Sequence, residues 1–169
     1  MDKAQPFVTY LESLREDRAA LANLRRGLGQ PPGTAVGMFP YVARWVPPKA
    51  PSVLEEVYYL IAALFASHPS PGGEGNMGDH FRRVVQADAL SAPAVERRIT
   101  ALLSAHPDDL HFYLRQAVSF LRSKEVPVNW HQLFIDVCRW DHAERRVQRQ
   151  WARSYWGYSP NSNQPDKEA

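Results

Sequence analysis

The sequence predicts an all-α fold, a compact multi-helix bundle of about seven or eight helices. Three observations predict it. Apolar residues recur at intervals of three and four along most of the chain. Ser, Asp and Asn residues suited to helix starts precede several of these stripes, and Pro and Gly follow them. No alternating apolar–polar run is bounded by hairpin turns, and no repeat recurs at a fixed period.

The first stripe, Phe7, Leu11, Leu14, Leu21, Leu24 and Leu28, predicts one helix over 6–28, stopped by Gly27, Gly29 and the Gln-Pro-Pro-Gly that follows. Short helical pieces are expected over 34–46, interrupted at Pro40. Ser52 and Glu55 match an S-x-x-E capping box opening 53–66. Apolar residues from Val53 to Phe65 cover nearly every face of that helix, which marks it as central and buried. Residues 67–79 read as a polar, mobile loop.

Asp79 is expected to cap a helix carrying Phe81, Val84 and Val85, with Arg82 and Arg83 outward. Ser91 is expected to cap the next, through Val95, Ile99, Leu102 and Leu103. A helix beyond Pro107 runs to about Lys124 on Leu110, Leu114, Ala117, Val118 and Leu121. Asn129 and Gln132 open 130–139, and an Asp141/Glu144 box opens a last helix that stops at Gly157. Residues 158–169 read as a flexible polar tail. That leaves 1–157 as a single α-helical domain or two packed helical halves.

The 169 residues are enough for a real core, and 44% hydrophobic with 22% charged content is ordinary for a globular chain. No apolar run reaches the ~18–20 residues that span a bilayer. The start, Met-Asp-Lys-Ala-Gln-Pro-Phe, lacks a secretory apolar region. A single cysteine excludes an internal disulfide framework. These features predict a cytoplasmic protein with no membrane partner.

Net charge is +2 but unevenly placed. Residues 50–80 carry four acids and no Lys or Arg, whereas 110–157 carry eight bases against four acids. Residues 1–49 carry seven bases against four acids. A polyanion would meet the two ends of the chain if folding places them on one face.

The densest segment is Arg139–Gly157, with five arginines and three tryptophans. On a helical wheel Ala143, Val147, Trp151 and Tyr155 fall within about 60° of Trp140. Arg145, Arg146, Arg149 and Arg153 fall opposite, with Trp156 among them. Arg145, Arg149 and Arg153 would repeat about every 6 Å, a spacing suited to strand phosphates. An exposed Trp156 could stack on an unpaired base. Arg115, Arg122 and Lys124 form a second basic cluster, and Arg25 with Arg26 a third.

Motifs for phosphate loops, dinucleotides, zinc proteases and redox cysteines are missing. His106 and His111 are five apart, off a shared helical face, and His106 suits a cap before Pro107. His131 and Asp136 share that spacing and make no dyad, and Cys138 reads as a packed side chain. Neither an enzyme nor a cofactor is expected.

The run LRQAVSFLRSKEVPVNWHQLFIDVCRWDHAERRVQRQWARSYWG resembles the C-terminal half of the CasB family, the small subunit of the type I-E CRISPR effector complex, Cascade. LRRGLGQPPG, with FPYV downstream, resembles the family's N-terminal signature. The resemblance implies an α-helical, non-enzymatic subunit, two copies of which lie in tandem in the complex. It implies contacts with crRNA and target DNA, stabilising their hybrid and the displaced strand. It also implies contacts with the backbone and large subunits. Carried onto matching positions, it makes Arg25, Arg26, Arg122, Lys124, Arg139, Arg145, Arg146, Arg149 and Arg153 nucleic-acid-binding candidates, beside Arg115. Arg139 and Arg146 flank the apolar face and are the two expected to hold the fold through buried pairs. A protein–protein adaptor without nucleic-acid binding is the alternative, and a metal-dependent nuclease ranks last.

Overall fold

The structure is a computed structural model that describes residues 4–157. The expected tail, 158–169, lies outside the described residues. The described chain is all-α: nine α-helices, one of them a single turn, and no strand.

The stripe over 6–28 is two helices, α1 (Ala4–Ser13) and α2 (Arg18–Arg25). Between Leu14 and Ala20 nothing apolar holds the chain to the core, and Asp17 accepts the Ala20 N–H at 2.9 Å, capping α2. Leu14 and Leu21 are seven apart, so the leucine spacing runs across the break unchanged. Two 3-10 turns flank α3 (Phe39–Val42), with Pro40 in its first turn.

Helix α4 (Ser52–Ser67) is the central element, buried along nearly all of its second half. It packs against α2, α3, α7 and α8. The Ser52/Glu55 box does not form: Pro51 stands at the cap position and no side chain caps the helix. Phe7 of α1, Tyr58 of α4 and Phe134 of α8 lock together, with centroids 4.9, 4.9 and 6.0 Å apart. Such aromatic trios add edge-to-face attraction to burial.

The loop preceding α5 (Met77–Ala87) is tied down, contrary to its polar, mobile reading. Arg15 donates to Pro69 O, Arg83 donates to Glu74 O at 2.7 Å, and His68 Nε2 bonds Val126 O at 2.7 Å. The α5 cap is Asn76; Asp79 is the third helical residue and completes a reciprocal capping box. Arg82 bonds Ser154 O at 3.3 Å, so neither Arg82 nor Arg83 is simply outward.

Helix α6 (Ala92–Leu103) follows Ser91, whose hydroxyl donates back to Asp88 O instead of capping. His106 Nδ1 accepts the Asp108 N–H, as its position before Pro107 predicts, and α7 (Leu110–Ser123) follows. Asn129 caps α8 (Trp130–Cys138), while the Gln132 side chain turns to Asp136 and leaves the box half made. Cys138 ends α8 and is exposed rather than packed.

The Asp141/Glu144 box is also absent. Residues 139–145 form successive turns, Arg145 takes a left-handed conformation at φ 50°, and α9 (Arg146–Trp156) begins one residue later. Buried residues from Ala4 to Tyr155 form one connected core.

Candidate nucleic-acid interface

The first basic surface assembles around α4. His111, Phe112 and Arg115 of α7 border a pit shared with Tyr59, Leu60 and Ala63 of α4. Further on, His68 bonds Val126. The two helices therefore run side by side in one sense. On the other flank of α4, Arg25 reaches Ala66 O at 3.4 Å.

The glycines of LRRGLG explain how the flanks meet. Gly29 has φ +77°, and a Cβ there would lie 2.5 Å from Arg115 Nη1. The positive φ favours glycine there, and the Arg115 guanidinium lies over it. Arg115 thus covers the loop that follows Arg25 and Arg26. Arg122 lies two turns further along the same α7 face, about 10 Å on. That is toward the α4 end where Arg25 bonds Ala66. Arg25, Arg26, Arg115, Arg122 and Lys124 are all exposed.

Arg98 joins this surface, and sequence reading missed it. Its guanidinium lies 4.3 Å from the Phe120 ring centroid, and Lys124 Nζ lies 5.8 Å from the same ring. The available signal was helical phase: Arg98 is one residue before buried Ile99 on an amphipathic helix. Its partner is twenty-two positions away in sequence, so phase alone could not single it out.

The second basic surface is built on α9. Trp151 is fully buried and meets Trp140 at 5.0 Å between centroids. Its Nε1 donates to Asp136 Oδ2 at 2.7 Å, and Gln148 donates to Trp140 O at 3.0 Å. Gly78 lets α5 approach: a Cβ there would sit 2.1 Å from Trp151 O. The tryptophans at 140 and 151 are therefore core, with Val147 and Tyr155, while Ala143 lies in the exposed turns. Burial raises the Asp136 pKa, opposed by the hydrogen bonds from Trp151 and Gln132 and by the charge of Arg139.

The arginine strip is shorter than its spacing predicts. Arg145 precedes the helix, and its Nη2 donates to Leu103 O at 2.6 Å, satisfying the C-terminal end of α6. Arg149 and Arg153 remain exposed on α9. Arg153 borders a shallow depression with Asn76, Asp79 and Gln132. Arg139 and Arg146 do not form buried pairs. Both are exposed, and Arg146 binds the exposed carboxylate of Glu144. Trp156 is 48% exposed, its ring edge-on to Tyr155.

Arg115 thus covers the loop after 25–26, Arg25 bonds Ala66 O, Arg26 lies beside Gly37, and Arg98 and Lys124 share the Phe120 ring. The arginines of 139–153 occupy the α8–α9 side. Where α5 meets the loop before α8, His80 is buried and accepts the Asn129 N–H at Nε2 (3.1 Å). Burial first, then the charge of Arg83, lowers its pKa to about 4. Among the described residues no three His, Cys, Asp or Glu side chains gather as metal ligation requires. Among them, too, no helix is long and apolar enough to cross a membrane.

Residues 20–156 match the family model of the CRISPR-associated protein Cse2. The chain is 34% identical to a CRISPR-associated protein Cse2 of Thermus thermophilus, covering 99% of this chain and 98% of that protein. Its fold matches the crystal structure of CasB from Thermus thermophilus with TM-score 0.80 at 32% identity, over 94% of this chain and 100% of that one. It also matches a chain of a structure described as a CRISPR RNA-guided surveillance complex, with TM-score 0.80 at 30% identity, over 90% and 91% of the two chains. Both halves of the motif series, from Arg25 to Trp156, fall inside the matched span, and the protein belongs to the CRISPR-associated Cse2 (CasB) family.

Proposed function

We propose that this protein is a non-catalytic subunit of a CRISPR RNA-guided surveillance complex that holds nucleic-acid backbones and stabilises the R-loop. The observation that carries the reading is the match, over nearly the whole of both chains, to a member of such a complex. The α4–α7 surface adds a chemical reason: Arg25, Arg26, Arg115, Arg122 and Lys124 all present exposed cations. Arg149 and Arg153 add a second contact on α9, whereas Arg145 works chiefly at the end of α6. Arg139 and Arg146 remain candidates as exposed cations.

In RNA-guided recognition base pairing reads the sequence, and protein needs only to hold backbones and the displaced strand. Exchange of a DNA duplex for an RNA–DNA hybrid is nearly balanced, so modest cationic contacts tip it. The partners on this reading are crRNA, target DNA, a second copy of the chain, and the backbone and large subunits. The site of action is the cytoplasm.

Permanganate footprinting of the displaced strand, on a supercoiled target with the reconstituted complex, tests this. Omitting the protein should shorten R-loop lifetime. Wild-type protein should restore it, and an Arg122→Glu/Lys124→Glu variant should not. R-loops equally long-lived without the protein would contradict the reading. The adaptor reading has its own observation: Val36, Phe39 and Val53 are exposed apolar side chains on one stretch of chain. On that reading they are where a protein partner docks.

A further inference from the structure

An open groove of about 590 Å³ runs along α7 beside α6. Phe112, Gln116, Ser119 and Ser123 line its floor at helical intervals of four, three and four, so they share one face of α7. Arg115 stands at one wall, and Phe120 with Arg98 at the other. The polar residues lining it are two arginines, one glutamine and two serines, with no carboxylate among them. Every one of these five is exposed.

Two features distinguish this groove from a merely charged surface. Phe112 is 52% exposed at one end of the groove, and its ring is held edge-on to Tyr113 at 5.3 Å. A large ring left half in water, at a fixed angle, offers a flat face to a flat ligand. The guanidinium of Arg98 is also pre-placed. It donates to Ala94 O at 3.1 Å and rests on Phe120, whose ring in turn stacks on buried Phe81. Cations at the walls and an aromatic face on the floor, over some 16 Å of helix, match a polymer of anionic links and flat bases. An acidic peptide would use the arginines but has no need of the ring.

We propose that the α6–α7 groove seats unpaired nucleotides, with one base stacked on Phe112, the neighbouring phosphate met by Arg115, and a further phosphate met by Arg98 beside Phe120, about 12 Å along the helix. This rests on the reading that the protein binds nucleic acid, and it adds that bases as well as phosphates are recognised, at a defined residue. Bases in a duplex hide their faces, so the groove discriminates single strands from double ones.

The test uses the full chain and three probes of equal length: oligothymidylate, the same strand with abasic sites, and a blunt duplex. Wild-type protein should bind the base-bearing strand roughly 5- to 150-fold tighter than the abasic strand, the range that loss of one stacked base gives. Phe112→Ala should bind both single strands alike and keep its duplex affinity. Phe112→Trp should restore the preference. Arg98→Gln should weaken both single strands. Equal binding of base-bearing and abasic strands by wild type would overturn the proposal, as would an unchanged preference in Phe112→Ala. So would poly-glutamate competing as well as the oligonucleotide. Wild-type binding to duplex but without base preference would sink this inference alone. No binding to any of the three probes at low salt would sink the nucleic-acid reading with it.

Discussion

Trp151 Nε1 donates to Asp136 Oδ2 at 2.7 Å, joining α9 to α8 through two buried side chains. Gln132 donates to the other carboxylate oxygen at 2.8 Å, so both oxygens are engaged. The link holds the arginine-bearing helix against the bundle. Removing the carboxylate orphans a buried indole N–H. Asp136→Ala should therefore cost roughly 3 kcal/mol in chemical denaturation, and Trp151→Phe somewhat less because it removes the donor as well. Asp136→Asn keeps an acceptor and should cost the least. A double-mutant cycle should return a coupling above about 0.5 kcal/mol. Additive single effects would contradict the link.

His80 makes acid stability measurable. Its pKa is lowered to about 4 from 6.5, because it is buried and faces Arg83, while Asp79 opposes and His68 adds slightly. Between those values the unfolded chain binds a proton that the folded chain refuses. Stability is full above pH 6.5 and falls as pH drops toward 4, by roughly 3 kcal/mol in all. Asp136, with its raised pKa, acts in the opposite sense above pH 3.8, losing stability as pH rises. The stability difference between wild type and His80→Gln, followed from pH 7 to pH 4, isolates the histidine. That difference should shrink steadily with acid; a constant offset would contradict the assignment.

Gly78 sets the closeness of α5 and α9. A methyl group there would meet the Trp151 carbonyl at 2.1 Å, which backbone atoms cannot tolerate. Gly78→Ala should cost about 1–3 kcal/mol by overpacking, despite the better helix propensity of alanine. It should also lower the fluorescence anisotropy attributable to Trp151.

Arg145 should behave as a structural residue more than as a phosphate contact. Its bond to Leu103 O satisfies a terminal carbonyl of α6. Arg145→Ala should cost about 1 kcal/mol and raise amide exchange in the last turn of α6. Arg149→Ala, exposed on α9, should leave stability within about 0.5 kcal/mol.

Local patterns made most helices legible. Helices α4 and α7 follow their apolar stripes, and His106 caps as its position before Pro107 implies. The misreadings share a cause: several local solutions compete, and tertiary contacts choose. Asp17 breaks the first stripe because no buried apolar side chain lies between Leu14 and Ala20. The D-x-x-E at 141–144 yields to a left-handed Arg145 whose side chain is held by α6. The loop before α5 looked free because its anchors, Arg15 and Val126, are more than fifty residues away from their partners. The same holds for the site. Arginine clusters were visible as runs, but Arg115 over Gly29 and Arg98 on Phe120 exist only after folding.

The central claim is that the exposed cations of α7 meet phosphates. Affinity of the full chain for a single-stranded oligonucleotide, titrated across salt concentration, tests it most directly. Log affinity should fall linearly with log salt, with a slope near −0.7 for each phosphate neutralised. Arg122→Gln/Lys124→Gln should make that slope shallower by about 1.4, with the fold intact by circular dichroism. A slope identical to wild type in that folded variant would contradict the account.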